Sequence, residues 1–528
     1  MSTGDKPSAM DLLNDADQHF RAGRTGQATA LLVRASALEP ENPQILRALG
    51  ITLVASNRAA EALPMLRRLT ELRPTDHTTF HQLGDALAFA RDPASAAETL
   101  RKSVALKPDY APAWARLGTV LREQRNNAGA VEAFEHAARL APNPDILSNL
   151  ADALIAEGRP DEAAQRLLEA LRINPSHLFS RVNLSCAYMR LGQVDQAIAE
   201  VRAALQLRPD FAPARHYLAL ALLKRGEFAE GWPAYENRFA IPVGDPAEKI
   251  DRAFPRWRGE DLRGRKILLH TEQGFGDAIQ FARYVPLVVE RARAEGNAKV
   301  IVACHRSLWR LFESIEGVAQ FIDLSSGLPP DIGLQCPFMS MPLAFGTTIE
   351  TIPAKVPYLA APAELVAKWK QALSIYGGLK VGLFWSGKPS NSLDHYRSCR
   401  MGDLAPLWSV RNVSFFSLQK DGPGEQSPRS QMSDRIIDLT SQLSDWSETA
   451  AFMMGLDLII SVDSAPVHLA GALGRPTWAL LSKGADWRWH VDRDDSPWYS
   501  TMRLFRQSKV NRWDDVMQRV AAELSAIH

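Results

Sequence analysis

The chain has 528 residues, 46% of them hydrophobic and 23% charged, an ordinary globular composition that excludes a disordered polymer. Lys and Arg total 61 against 60 Asp and Glu, so a net charge of +1 argues against nucleic acid or an anionic membrane as the main partner. The start MSTGDKPSAMDLL lacks the basic and apolar segments of a signal peptide, and no apolar run approaches the ~18 residues of a membrane span. Cys186, Cys304, Cys336 and Cys399 lie far apart with no CxxC pair; reduced thiols in the cytoplasm, with no zinc site, are the expectation.

In chain order, the first signal is an internal repeat. Prolines at 40, 74, 108, 142, 175 and 209 close the phrases ALEP, ELRP, ALKP, RLAP, RINP and QLRP at a 33- or 34-residue period. Ala28, Ala62, Ala96, Ala130, Ala163 and Ala197 keep the same beat, and turns fall at Gly23, Asn57, Arg91, Arg125, Gly158 and Gly192. The pattern predicts a helix pair per repeat: small alanines let the helices approach, and proline stops the second helix. This spacing matches the tetratricopeptide repeat, whose stacked copies curve into a superhelix with a concave groove for a protein segment. Six full copies precede a seventh, Asp210 to about Phe239, which turns at Gly226 but ends in GWPAYENRF, the reading of a cap or junction. Asn149 and Asn183 share a groove-side position and could grip a peptide backbone; the same position is Ala115 one repeat earlier and Tyr217 one repeat later. The alternative role for such an array is dimerisation (a homo-oligomer) or the spacing of domains.

From about residue 264 the period changes. KILLH (266–270), AKVIVAC (298–304), LKVGLFW (379–385), VSFFSL (413–418), LDLIISV (456–462) and TWALL (477–481) alternate with helical stretches, which predicts βα units around parallel sheets. Pro353, Pro357 and Pro362 thin the pattern. The expected organisation is a repeat array over 1–240, a linker and first α/β half over 241–362, and a second half over 363–528 closed by a helix near 513–527.

Open parallel sheets take ligands at the carboxyl ends of their strands. After KILLH comes TEQGFGD, where Gly274 and Gly276 would let the backbone approach a ligand and Asp277 would stand at a helix start. Such a carboxylate can serve as a general base or simply cap the helix. After LDLIISV come Asp463, Ser464 and Ala465, then a helix with Pro466 in its first turn and His468 close behind. That terminus is a candidate anion site, with Ser464 and His468 as added donors, or, taken alone, a capped helix with one satisfied histidine. The loop FWSGKPSNS offers Ser386, Gly387 and Lys388, and SLQKDG offers Gln419 and Lys420. No GxxxxGK[ST], HExxH or GxSxG occurs, and QGFGDAI has two of the three glycines of a dinucleotide fingerprint.

The stretches EQGFGDAIQFARYVPLV (272–288), VGLFWSGKPSNSLDHYRS (381–398) and VDSAPVHLAGALGRPTWALL (462–481) resemble bacterial tetratricopeptide-repeat glycosyltransferases. GEFAEGWPAYENRF at the junction and DWRWHVDRDDSPWY (486–499) extend the resemblance over nearly the whole chain. Their C-terminal domain is similar to that of ADP-heptose:lipopolysaccharide heptosyltransferases, two Rossmann-like halves facing a cleft (GT-B). The resemblance implies Asp277 as general base, and Asp463, Ser464, Ala465 and His468 at the donor diphosphate. It places Gly274, Gly276, Ser386, Gly387, Lys388, Gln419 and Lys420 around the same nucleotide-sugar donor. It further implies inverting transfer with no metal or other cofactor, onto a protein acceptor held by the repeats, flagellin being one example. A glycan or lipid acceptor, or a scaffold with an inactive transferase domain, are the alternatives.

Overall fold

The computed structural model describes residues 7–240, 250, 253–325, 327–329, 331–388, 391, 393–420 and 434–527. Parts of three stretches singled out above, residues 1–6, 389–390 with 392, and 421–422, lie outside the described residues. By compactness the chain divides into Met1–Asn183 and Leu184–His528. Among the described residues no helix is long and apolar enough to cross a membrane.

The first unit is all helical. Its pairs are α1 (Ala9–Arg21) with α2 (Thr25–Leu38), α3 (Pro43–Ala55) with α4 (Ala59–Leu72) and α5 (His77–Phe89) with α6 (Pro93–Leu106). They continue as α7 (Ala111–Glu123) with α8 (Asn127–Leu140) and α9 (Pro144–Ala156) with α10 (Pro160–Ile173), before α11 (Leu178–Leu191) begins. Each second helix stops two residues before its predicted proline. Ala28, Ala62, Ala96, Ala130 and Ala163 are all fully buried at the pair interface. On the facing helices a Cβ at Gly50 or Gly84 would lie 2.6 Å from Leu66 or Leu100, so glycine admits the leucine. The turns at Gly23, Asn57, Arg91, Arg125 and Gly158 are all left-handed, with φ of 73°, 59°, 62°, 60° and 84°. The geometry is therefore set by the repeat period even where the residue is arginine.

The second unit contains the rest of α11, then α12 (Val194–Leu207), α13 (Ala212–Arg225) and α14 (Phe228–Tyr235). It also holds two sheets, both wholly parallel. The first, in order β3-β2-β1-β4, uses β1 (Ile267–His270), β2 (Val300–Cys304), β3 (Gln320–Asp323) and β4 (Leu334–Pro337). The second, in order β10-β9-β8-β5-β6-β7, uses β5 (Leu379–Phe384), β6 (Val413–Ser417), β7 (Ile436–Ile437), β8 (Leu458–Val462), β9 (Thr477–Leu481) and β10 (Met502–Arg506). Both follow the doubly wound order, in which the strand sequence reverses beside the first strand and opens a crevice there. The six predicted strands are β1, β2, β5, β6, β8 and β9. Those not predicted are short or at edges: β3 is partly exposed, β4 ends at Pro337, β7 has two residues, and β10 alternates with arginine as MRLFR.

The helices that matter for the site are α15 (Phe275–Phe281), α16 (Val285–Ala294), α17 (Ala363–Leu373), α18 (Trp446–Met454), α19 (Ala465–Ala472) and the closing α20 (Asp514–Ser525). The seventh repeat is a junction packed into this unit. Trp232 donates its indole N–H to the Thr347 carbonyl at 2.9 Å, and the buried Arg238 pairs with Glu272 at 2.7 Å, directly after β1.

Candidate functional site

β1 delivers the chain to Gln273, which takes a left-handed φ of 60°. Gly274 is extended at φ −91° and caps α15. Asp277 is the third residue of that helix. One carboxylate oxygen accepts the Gly274 N–H at 2.9 Å, and the other is paired with the Arg488 guanidinium. Burial pushes the Asp277 carboxyl above its ordinary range, and Arg488 pulls it back. Arg488 is itself buried; it also bonds Asp486 at 2.7 Å and the Gln280 side chain.

α15 packs directly on α19, so the start of the first sheet's crossover helix meets its counterpart from the second. Gly276 makes this possible: a Cβ there would lie 3.0 Å from the His468 ring and 3.4 Å from the Ala465 Cα. The glycine thus serves the approach of two helices, where the sequence suggested approach to a ligand.

α19 begins after Asp463 and the N-cap Ser464, whose hydroxyl makes no capping bond. Pro466 has no N–H and that of Val467 bonds the Ser464 carbonyl, which leaves Ala465 N–H and the Ser464 hydroxyl as candidate anion donors. Burial, reinforced by Asp486 and opposed by Arg397, pushes the Asp463 carboxyl up to about 6. His468 is buried; its Nδ1 lies 2.9 Å from the Tyr499 hydroxyl and its ring stacks on Trp489. Burial holds it well below the usual imidazole range, hence neutral. The histidine is engaged in packing, not offered at the helix end.

The loops after β5 and β6 are tied together. The Ser386 N–H donates to the Gln419 side chain at 3.1 Å, and the Gly387 N–H donates to the Ser398 hydroxyl at 2.8 Å. A Cβ on Gly387 would fall 2.1 Å from an Asp394 oxygen, so this glycine admits the Asp394–Arg397 ion pair. Lys420 donates to the Leu443 carbonyl, and Lys388 is exposed.

Around these strand ends lies a cavity of ≈ 240 Å³ whose lining includes Arg397, Asp463, Asp486 and Trp487. Arg397, Asp486 and Arg488 carry no motif that singles them out in the sequence. The one available signal was the dense run of charge and tryptophan in DWRWHVDRDD, which a solvated loop would not carry. In the first unit Asn183 donates its amide to the Ser148 hydroxyl at 3.1 Å, a bond between neighbouring repeats, while Asn149 is half-buried. A cavity of ≈ 530 Å³ in that unit lies at its start, beside Phe20, Arg47 and Ile51.

Two parallel doubly wound sheets whose crossover helices meet at their starts define a pair of Rossmann-like halves. Residues 428–509 match the family described as glycosyltransferase family 9 (heptosyltransferase), residues 19–86 match a tetratricopeptide repeat family, and 81–143, 116–177 and 182–245 match another. The chain therefore carries tetratricopeptide repeats followed by a C-terminal glycosyltransferase family 9 domain. Protein FlbA of Caulobacter vibrioides is 29% identical over 330 residues, 57% of this chain and 52% of FlbA, so the match spans about half the length of that curated relative. Among solved structures, Pseudomonas aeruginosa pilF is 19% identical, with a TM-score of 0.35 over 40% of this chain and 96% of that one. A thermophilic tetratricopeptide-repeat protein of Thermus thermophilus is 25% identical, with a TM-score of 0.30 over 34% of this chain and 100% of that one.

Proposed function

We propose that this chain is an inverting, metal-independent glycosyltransferase that moves a sugar from a nucleotide donor to a Ser or Thr hydroxyl of a protein held by the repeats. The observation that supports this reading is the packing of α15 on α19, with Gly276, next to Asp277, against Ala465, next to Ser464. Asp277 accepts the proton of the acceptor hydroxyl. That oxygen bonds to the anomeric carbon as the bond to the donor phosphate breaks, and its electron pair leaves on the phosphate. Ser464, the Ala465 N–H and the start of α19 receive that charge, with Arg397 nearby. Arg488 opposes the rise that burial imposes on the Asp277 carboxyl.

The nucleotide-sugar donor makes the cytoplasm the natural site of action, and flagellin is the acceptor to try first. Incubating the full chain with UDP-, GDP-, ADP- and CMP-linked sugars and purified flagellin should add one sugar mass or more to flagellin in intact-mass spectra. Nucleotide release with flagellin unmodified, and a glycan modified in its place, would overturn the protein-acceptor part of the reading.

A further inference from the structure

The groove-side register of Asn149 and Asn183 reaches Tyr217 on α13. Tyr217 and Arg190, near the end of α11, line the ≈ 240 Å³ cavity together with Arg397, Asp463, Asp486 and Trp487. Repeat helices and catalytic loops thus share one cavity within the second unit. The loop after β9 is seated on those helices: a Cβ at Gly484 would lie 2.5 Å from the Cα and the carbonyl oxygen of Arg190. Lys224, buried on α13, donates to the Ala485 carbonyl at 2.6 Å. The Arg190 guanidinium lies over the Tyr396 ring at 5.4 Å, and its Nε is buried without a hydrogen-bond partner among the described residues.

The volume falls below the ~300–1,000 Å³ of pockets that enclose drug-sized molecules, and suits a single sugar ring. The chemistry suits one too. Tyr217 offers an aromatic ring to sugar C–H groups, Asp463 and Asp486 accept from hydroxyls, and the Arg190 Nε–H is a donor in need of an acceptor. Asp463 directly precedes the N-cap of α19, and Asp486 shares Arg488 with Asp277. A ring here therefore lies beside the residue that precedes the start of α19, and is linked to Asp277 through Asp486 and Arg488. We propose that this cavity takes the donor's sugar ring, and that Arg190 and Tyr217 make the last repeats a selector of the donor sugar. This rests on the nucleotide-sugar reading above.

The test uses the full chain, titrated calorimetrically with UDP-N-acetylglucosamine, GDP-mannose, ADP-glucose and CMP-N-acetylneuraminate, and with the four free nucleotides. Arg190→Met and Tyr217→Leu should each weaken the best-bound nucleotide sugar about tenfold while leaving its free nucleotide within about twofold. Unchanged affinity for the free nucleotide also certifies the fold; if Arg190→Met does not fold, Arg190→Lys keeps the charge, removes the Nε donor, and should show the same split. Equal weakening of nucleotide and nucleotide sugar overturns the inference, as does unchanged donor affinity with a raised KM for the acceptor. A wild-type chain with no affinity for any of the eight ligands overturns the donor reading itself.

Discussion

Arg91 and Arg125 sit in left-handed turns, φ 62° and 60°, that glycine fills in the first, fifth, sixth and seventh repeats. A residue with a Cβ is strained there by ~1–2 kcal/mol, and glycine returns part of that gain as unfolded-state entropy. Arg91→Gly should therefore stabilise the array by about 0.5–1 kcal/mol in urea unfolding; a loss would show that the arginine side chain holds the turn. Asp463 tests the site in the same way. Its folded pKa of about 6 exceeds the ~4 of an unfolded aspartate, so the folded state binds the proton more tightly and stability falls as pH rises between those values. Asp463→Asn removes that cost. Its melting temperature should exceed wild type by a margin that grows from pH 4 to 7, corresponding to about 1–3 kcal/mol. A margin independent of pH would contradict the raised pKa.

At the scale of elements, the contact of α15 with α19 depends on the absence of a side chain at Gly276. Gly276→Val should part the two helix starts and lower both melting temperature and transfer, an overpacking cost of ~1–3 kcal/mol. Arg488 acts across the same contact. Arg488→Gln removes the cation that opposes burial, so the Asp277 pKa rises and the acidic limb of the pH–rate profile should move to higher pH. An unmoved limb would place the titrating base elsewhere. The repeats were legible in the sequence because a 34-residue period repeats its own evidence six times over. The six strands expected from sequence were legible because buried parallel strands are continuous apolar runs. β3 is partly exposed and β7 has two residues, β4 is buried but reads LQCP with a glutamine and a proline, and β10 alternates with arginine, so none presents such a run. The two glycine-bearing turns were found from sequence, but their use was not: closeness of Gly276 to His468 is a tertiary fact. Arg488 and Asp486 lie some 210 residues from Asp277 and meet it only through the fold.

For the whole molecule, the repeats end inside the unit that carries the transferase fold, with α13 bound to the loop after β9 through Lys224 and Ala485. On the proposed function, α13 borders the donor cavity within this unit, and acceptor selection is assigned to the repeats that precede it. The central claim is that Asp277 removes the acceptor proton. Asp277→Asn keeps the side-chain size and an acceptor for the Gly274 N–H but abolishes basicity. The most direct measurement is sugar transfer to flagellin by the full-length wild type and by Asp277→Asn, with donor affinity measured on both. A general base accounts for ~10²–10⁴-fold in rate. A drop of at least ~100-fold at unchanged donor affinity is predicted, and transfer by Asp277→Asn at a near wild-type rate would contradict the account.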